Sequence, residues 1–315
     1  PPPPPPPPYS SRRRHTRYRR SSRGLGDVYK RQALFCLALL LVACAWELYK
    51  LIGPEDGGSV FGVQMIPKTS DRAMPHTWDM VQRLGEPENR GGDTPIWLSV
   101  AGYAWYTFRL ALLGLAMGSL FGIGIAVVMA RFRFAERGLL PWVIMSQTVP
   151  LIALAPQVVS WSGKVDVFGW EIPRWFAVCI LAAFLSFFPI AVGTLRGLKS
   201  APPAAVELMH SYAASWWKTL VKLRFPAAVP HMVPAMKLGA TLSVIGVIVS
   251  EISTGISGGI GRAVLSYGQA ATGDPTKVYA AVFGAAILGL ALFGLVVLFD
   301  VIVMRNRPHE EPGSA

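Results

Sequence analysis

Four stretches of this chain, residues 110–129, 139–162, 175–195 and 278–299, contain no Asp, Glu, Lys or Arg. Crossing a hydrocarbon layer about 30 Å thick takes about 20 mostly apolar helical residues, and a helix lets one segment satisfy all its own backbone groups there. Runs this long have no comparable place in a water-soluble domain, so they fix the solvent in which the chain folds. Two further stretches qualify less cleanly. Residues 33–52 are uncharged up to Trp46 and then meet Glu47 and Lys50. Residues 231–252 carry Lys237 and Glu251 near their ends, where Lys is expected to snorkel to the nearer surface and a carboxylate to face protein or water. The resulting expectation is an all-α integral membrane protein of six transmembrane helices. Composition agrees: 52% of the residues are hydrophobic and 15% charged, against about 25% charged in soluble domains.

The formal charge of +12 suggests nucleic acid at first sight, but residues 1–32 hold nine of the bases and one acid, leaving 21 bases against 17 acids elsewhere. A basic face for polyanions is therefore excluded, and no nucleic-acid partner is expected. Residues 1–32 open with eight prolines and continue with Arg and Ser; low complexity and like charge predict disorder there. Their end, Asp27 to Gln32, reads as a translated sequencing adapter fused to the gene. The expected organisation is a first transmembrane helix at 33–52, an extracytoplasmic loop with an interfacial helix at 53–109, a core at 110–305 and a tail at 306–315. Trp97, Tyr103, Trp105, Tyr106 and Phe108 are the aromatics that suggest the interfacial helix.

Charge also orients the chain. Arg131, Arg133 and Arg137 fill one link, Arg196, Lys199, Lys218, Lys222 and Arg224 another, and Arg305 and Arg307 follow the last span; the link at 53–95 has four bases and seven acids. The positive-inside rule makes the first three cytoplasmic and, with six spans, puts both termini inside. Cys36, Cys44 and Cys179 lie in apolar runs and the five histidines are scattered, so no metal site is expected. A membrane-embedded enzyme would need convergent nucleophile, base or metal groups, and the spans supply almost none.

The longest basic link is patterned rather than loose. Ser200, Pro202 and Pro203 are helix-start signals ahead of 204–211. Ser215 can cap a second segment, 216–225, in which Trp217, Leu220, Val221 and Arg224 recur at helical spacing, with Pro226 and Pro230 expected to end it. An amphipathic hairpin at 200–230 would present apolar groups that lipid does not require, as a docking face does.

Here the chain resembles the permease subunits of type I ATP-binding-cassette importers. Their signature is Glu-Ala-Ala, a Gly a few residues on, and a Leu-Pro step about twelve residues after that Gly; this chain has Glu207, Leu208 and Met209, then Ala213, then Phe225, Pro226 and Pro230. Both alanines of the triplet are larger here, and Ala213 stands where the signature has Gly. A left-handed turn at Ala213 would cost roughly 1 kcal/mol. Thr148 to Pro156 followed by Trp161, Ser162 and Gly163, and Ser250, Glu251 and Ile252 followed by Gly258 to Gly261 and Tyr267, resemble the nitrate, sulfonate, taurine and pyrimidine-precursor branch.

The resemblance implies that the hairpin, through Glu207, Leu208, Met209, Ala213, Ser215, Trp217, Phe225, Pro226 and Pro230, is the cytoplasmic element that sits on a separate ATPase and couples its closure to the membrane helices. It further implies two ATPase copies, a second permease copy forming a homodimer, an external substrate-binding protein, and a bacterial plasma membrane location. The chain itself shows no phosphate loop: residues 193–200 place Leu198 where Gly must precede Lys. ATP with its Mg is thus expected on the partner, and no cofactor on this chain. The cargo expected from the branch is a small anionic or heteroaromatic solute. Polar or helix-breaking positions at membrane depth, Gln147, Thr148, Pro150, Pro156, Gln157, Ser243, Ser250 and Glu251, are the candidates for the translocation pathway. Gly114, Gly118 and Gly122 mark a helix-packing seam, within the subunit or between copies. The competing reading is an ion-coupled secondary transporter, which would need internal repeats and midspan charges that the sequence does not clearly show.

Overall fold

The computed structural model describes residues 16–304 apart from 61–62, 90, 165 and 168–169. Arg305, Arg307 and the tail at 306–315 lie outside the described residues, as do residues 1–15. Five helices among the described residues are long and apolar enough to cross a membrane, and two helices in series pass the same test together. The chain divides into two compact units at Asp79 and Met80.

In the first unit, α1 spans Thr16–Ile52. The disorder expected for 1–32 is corrected from Thr16 onward: once the apolar run is helical, the nucleation cost is met and each further residue needs only propagation. A two-stranded antiparallel hairpin follows, β1 Gly58–Val60 and β2 Val63–Ile66, too short for alternation to reveal. Residues 67–77 then return to the end of α1. Glu47 accepts from Thr77 N and Oγ1, both at 2.7 Å, and pairs with His76 Nδ1 at 2.8 Å. Lys50 reaches Asp71 at 2.5 Å and Met74 O at 2.7 Å. The Lys50 hydrogen bond and charge hold the Asp71 carboxyl below its ordinary range. The two charges that weakened this stretch as a span are the anchors of its loop.

A short helix, α2 Thr77–Arg83, precedes α3 Ile96–Arg131. The aromatics Trp97 to Phe108 do not form a separate interfacial helix; they occupy the first turns of this 36-residue helix, about 54 Å long at 1.5 Å per residue. α6 Arg174–Leu198 and α9 Phe225–Thr254 complete the central layer, with α6 between α3 and α9. Glycines set the closeness. A methyl at Gly122 would lie 2.7 Å from Phe187 O, and one at Gly118 would overlap the Ser186 hydroxyl; on the other side Gly197 faces Ala228 and Gly246 faces Ala182. Gly114, Gly118 and Gly122 therefore build a seam inside the subunit.

The third crossing is broken. α4 Arg133–Met145, a 3₁₀ turn at Ser146–Thr148 and α5 Leu151–Ser162 bend by 98°. Pro150 has no N–H and confines Val149 to extended backbone (φ −75°, ψ 122°). Pro156, expected as a second break, sits inside α5; one missing donor is tolerated in a membrane helix. A small hairpin, β3 Asp166–Val167 with β4 Trp170–Glu171, leads into α6. After α9 come α10 Ile260–Gln269 and α11 Pro275–Met304. Lys237 does not snorkel: its ammonium meets Asp300 of α11 at 2.7 Å, two charges that pair because each lies beside the other along packed helices.

Candidate functional site: the basic hairpin and the membrane core

Leaving α6, the chain forms α7 Pro203–Ser211, turns, and enters α8 Trp216–Thr219. Pro203 starts α7, where its missing N–H costs nothing. The end of α7 closes in two reversed hydrogen bonds, Ala213 N to His210 O at 2.9 Å and Ala214 N to Met209 O at 3.0 Å. That pairing needs a left-handed residue between them. Ala213 supplies it at φ 50°, the one positive φ outside glycine among the described residues. The strain anticipated at this position is present. An Ala213→Gly variant is expected to gain about 0.5–1 kcal/mol in stability, read as a higher thermal midpoint of the purified chain; an unchanged or lower midpoint would show that the turn carries no strain.

Ser215 caps α8, its hydroxyl accepting from Lys218 N at 3.4 Å. Pro226 and Pro230 do not end the segment. A π turn at Leu220–Arg224, with Phe225 N bonded to Leu220 O, shifts the hydrogen-bond register just before Pro226, and the helix continues to Thr254. Widening the turn removes the carbonyl that Pro226 would strike. The hairpin thus leads without a break into a membrane-crossing helix.

Its two faces differ. Toward the membrane, Leu220 is buried in a cluster with Leu198, Ala228 and Met232, lined by Trp216, Phe225 and three residues of α3. Arg131 at the end of α3 lies 5.2 Å from the Trp216 ring centroid, a favourable cation–π contact. Ser200 Oγ reaches Ala227 O at 3.3 Å, and Lys199 pairs with Glu136 of α4. Away from the membrane, Glu207, Leu208, Tyr212, Trp217 and Val221 are exposed. Met209 and Phe225 are half-buried, and Pro226 and Pro230 are exposed on the helix that follows.

The pathway candidates separate into two groups. Thr148, Pro150, Pro156 and Gln157 are exposed around the α4–α5 bend, and Gln147 beside them keeps a buried Nε2 without a partner. Ser243, Ser250 and Glu251 are wholly buried instead. Ser243 donates to Ala111 O and Ser250 to Gly246 O, both at 2.6 Å, and Glu251 is held by Thr107 and Gly261. All three polar side chains are bonded within the subunit.

At the end of the subunit opposite the hairpin, Arg83 and Glu88 are strapped down by a network that sequence reading missed. Glu88 accepts from Tyr267 at 2.8 Å and Tyr103 at 3.4 Å, Lys277 reaches Glu88 O at 2.5 Å, and Arg83 pairs with Asp274 at 2.7 Å. Burial pushes Glu88 upward, but hydrogen bonds from Ser99, Tyr267 and Tyr103 with the Lys277 charge outweigh it and hold the carboxyl below its ordinary range. Burial and the neighbouring Glu88 push the Tyr267 hydroxyl up. A Glu followed by two Tyr and a Lys across almost two hundred residues leaves no local signal.

The family model for the inner membrane component of binding-protein-dependent transport systems matches residues 118–307. The formylaminopyrimidine transport permease protein ThiX of Halalkalibacterium halodurans is 31% identical over 65% of this chain and 77% of its own length. The nitrate import permease protein NrtB of Synechocystis is 21% identical over 91% of this chain and 95% of its own. Among solved structures, an amino acid ABC transporter crystallised with histidines aligns at a TM-score of 0.50 and 19% identity, covering 65% of this chain and 92% of that one. This last likeness bears on the fold, which is that of a type I importer permease.

Proposed function

Because the chain belongs to the family of binding-protein-dependent transport system inner membrane components, we propose a full assembly around what that membership establishes. It is a multi-pass membrane permease subunit of an ATP-binding-cassette importer of small solutes, not an enzyme, and it works with a separate ATPase and a substrate-binding protein. In the proposed assembly two copies of this chain and two ATPases form one transporter, with the hairpin and both termini on the cytoplasmic side of a bacterial plasma membrane. ATP and its Mg bind the ATPases only. Glu207, Leu208, Met209, Ala213, Ser215, Trp217, Phe225, Pro226 and Pro230 carry the coupling, and the α4–α5 bend with Gln147, Thr148, Pro150, Pro156 and Gln157 lines the route. The cargo class is a small anionic or heteroaromatic solute.

The observation that carries this reading is the exposed apolar face of Leu208, Tyr212, Trp217 and Val221 on a hairpin continuous with a membrane-crossing helix. Lipid gives such a face no use on a segment surrounded by Lys218, Lys222 and Arg224, whereas a protein groove does. The test is the native mass of the complex purified through this chain. Two permeases with two ATPases is the expected composition. A chain that purifies without an ATPase and still moves solute in vesicles overturns the proposal in favour of ion coupling.

A further inference from the structure

Glu251 is a fully buried carboxyl group remote from the hairpin. It stands in the last turn of α9, at the end opposite the hairpin. Thr107 of α3 donates its hydroxyl to Glu251 Oε1 at 2.8 Å, and Gly261 N of α10 donates to Oε2 at 2.8 Å. The same Thr107 oxygen accepts from Ile260 N at 2.9 Å. Three helices thus meet on one carboxyl group. The first turn of α10 directs two N–H groups without an intrahelical partner, those of Ile260 and Gly261, at this pair. The space is made for the carboxylate: a methyl at Gly259 would overlap it, and one at Gly261 would lie 2.6 Å from Ile248 O.

We propose that Glu251 is a positioning residue for transport, the joint that makes α10 follow α9 when the hairpin is moved. The proposal rests on the hairpin being the ATPase contact. Residues Trp216–Thr254 form one continuous 39-residue helical span from the hairpin to Glu251, about 58 Å at 1.5 Å per residue. Glycine contacts on α6 and α9, at Gly193, Gly197, Gly239 and Gly246, keep that span tight against α6. Displacement at Trp216 therefore arrives at Thr254. Between α9 and α10 the chain crosses a glycine-rich turn, with Gly255 at φ 67° and Gly258 at φ 102°, which by itself would let α10 lag behind. The carboxyl group removes that freedom, because swinging α10 away would strip a buried polar group of its hydrogen-bond partners, an arrangement strongly disfavoured. A turn that only needed stability could be held by an apolar contact without burying a polar group.

The experiment uses the complex with its ATPase in vesicles and needs no identified cargo. In a chain with its native cysteines replaced, spin labels are placed on one pair at the hairpin, Ser211→Cys with Arg137→Cys, and on another at the far end, Gln269→Cys with Trp97→Cys. Both distances are measured before and after Mg-ATP with orthovanadate. In the parent, both distances shift. In Glu251→Gln and in Thr107→Val, the hairpin shift persists and the Gln269 to Trp97 shift is lost, while Thr107→Ser, which keeps the donor, restores it. A far-end shift that survives in both variants overturns the proposal, even if their thermal midpoints fall, since a merely stabilising contact would lower the midpoint and leave the movement intact. If Glu251→Gln yields no folded complex, the Thr107→Val and Thr107→Ser pair decides alone. No hairpin shift in the parent would instead count against the coupling role of the hairpin.

Discussion

A Gly118→Val chain is expected to be recovered in detergent with less than a tenth of the folded yield of the parent, and Gly124→Val to be recovered normally. Gly118 and Gly124 lie on the same helix, α3, but only Gly118 belongs to the repeat of Gly114, Gly118 and Gly122. At Gly118 a Cβ overlaps the Ser186 hydroxyl and lies 2.9 Å from Ala183 O and 3.2 Å from Phe187 N; at Gly124 nothing stands within 4 Å. Backbone atoms of α6 cannot yield as a flexible side chain would, so α3 must move off α6. Overpacking a filled interior costs typically 1–3 kcal/mol, and a branched residue in a seam shared along the whole helix pair belongs at or beyond the top of that range. Size-exclusion traces of the two solubilised variants make the comparison. Equal recovery would mean that the α3–α6 seam does not hold the subunit together.

Trp217→Ala is expected to lower capture of the ATPase at least tenfold and to leave the permease's own thermal midpoint within a few degrees of the parent. Trp217 is 65% exposed, so its removal opens no cavity, and surface substitutions of that kind usually move stability by less than about 0.5 kcal/mol. An aromatic anchor at the centre of a protein interface, however, carries about 2 kcal/mol or more. The neighbouring Trp216, half-buried beneath Arg131 and edge-on to Trp217 at 4.9 Å, should behave in the reverse sense, with Trp216→Ala destabilising the permease itself. Pull-down with a tagged ATPase alongside thermal unfolding separates the two. If Trp217→Ala binds the ATPase as the parent does, the exposed face of the hairpin is not the contact.

The hairpin was legible in the sequence because its signals are local. Pro203, the Ser215 cap and the spacing of Trp217, Leu220 and Val221 each act within a few residues, and Ala213 sits where α7 must turn left-handed. What the same segment hid was its continuation. Two prolines normally stop a helix, and only the π turn at Leu220–Arg224 lets α9 run through them. The bend of the third crossing was legible as a position, from Pro150, but not as an angle.

Counting uncharged residues was enough to determine the membrane, the crossings and the existence of a basic hairpin between two of them, because a charge at hydrocarbon depth is penalised whatever surrounds it. Which polar groups are sealed and which stay open was decided only by the fold. Glu251 with Thr107, Lys237 with Asp300, and Glu88 with Tyr267 are pairs separated by 144, 63 and 179 residues. A single sequence records that such groups are present, but the partner of each is chosen by helix packing, and packing here is set by where glycines allow two backbones to meet.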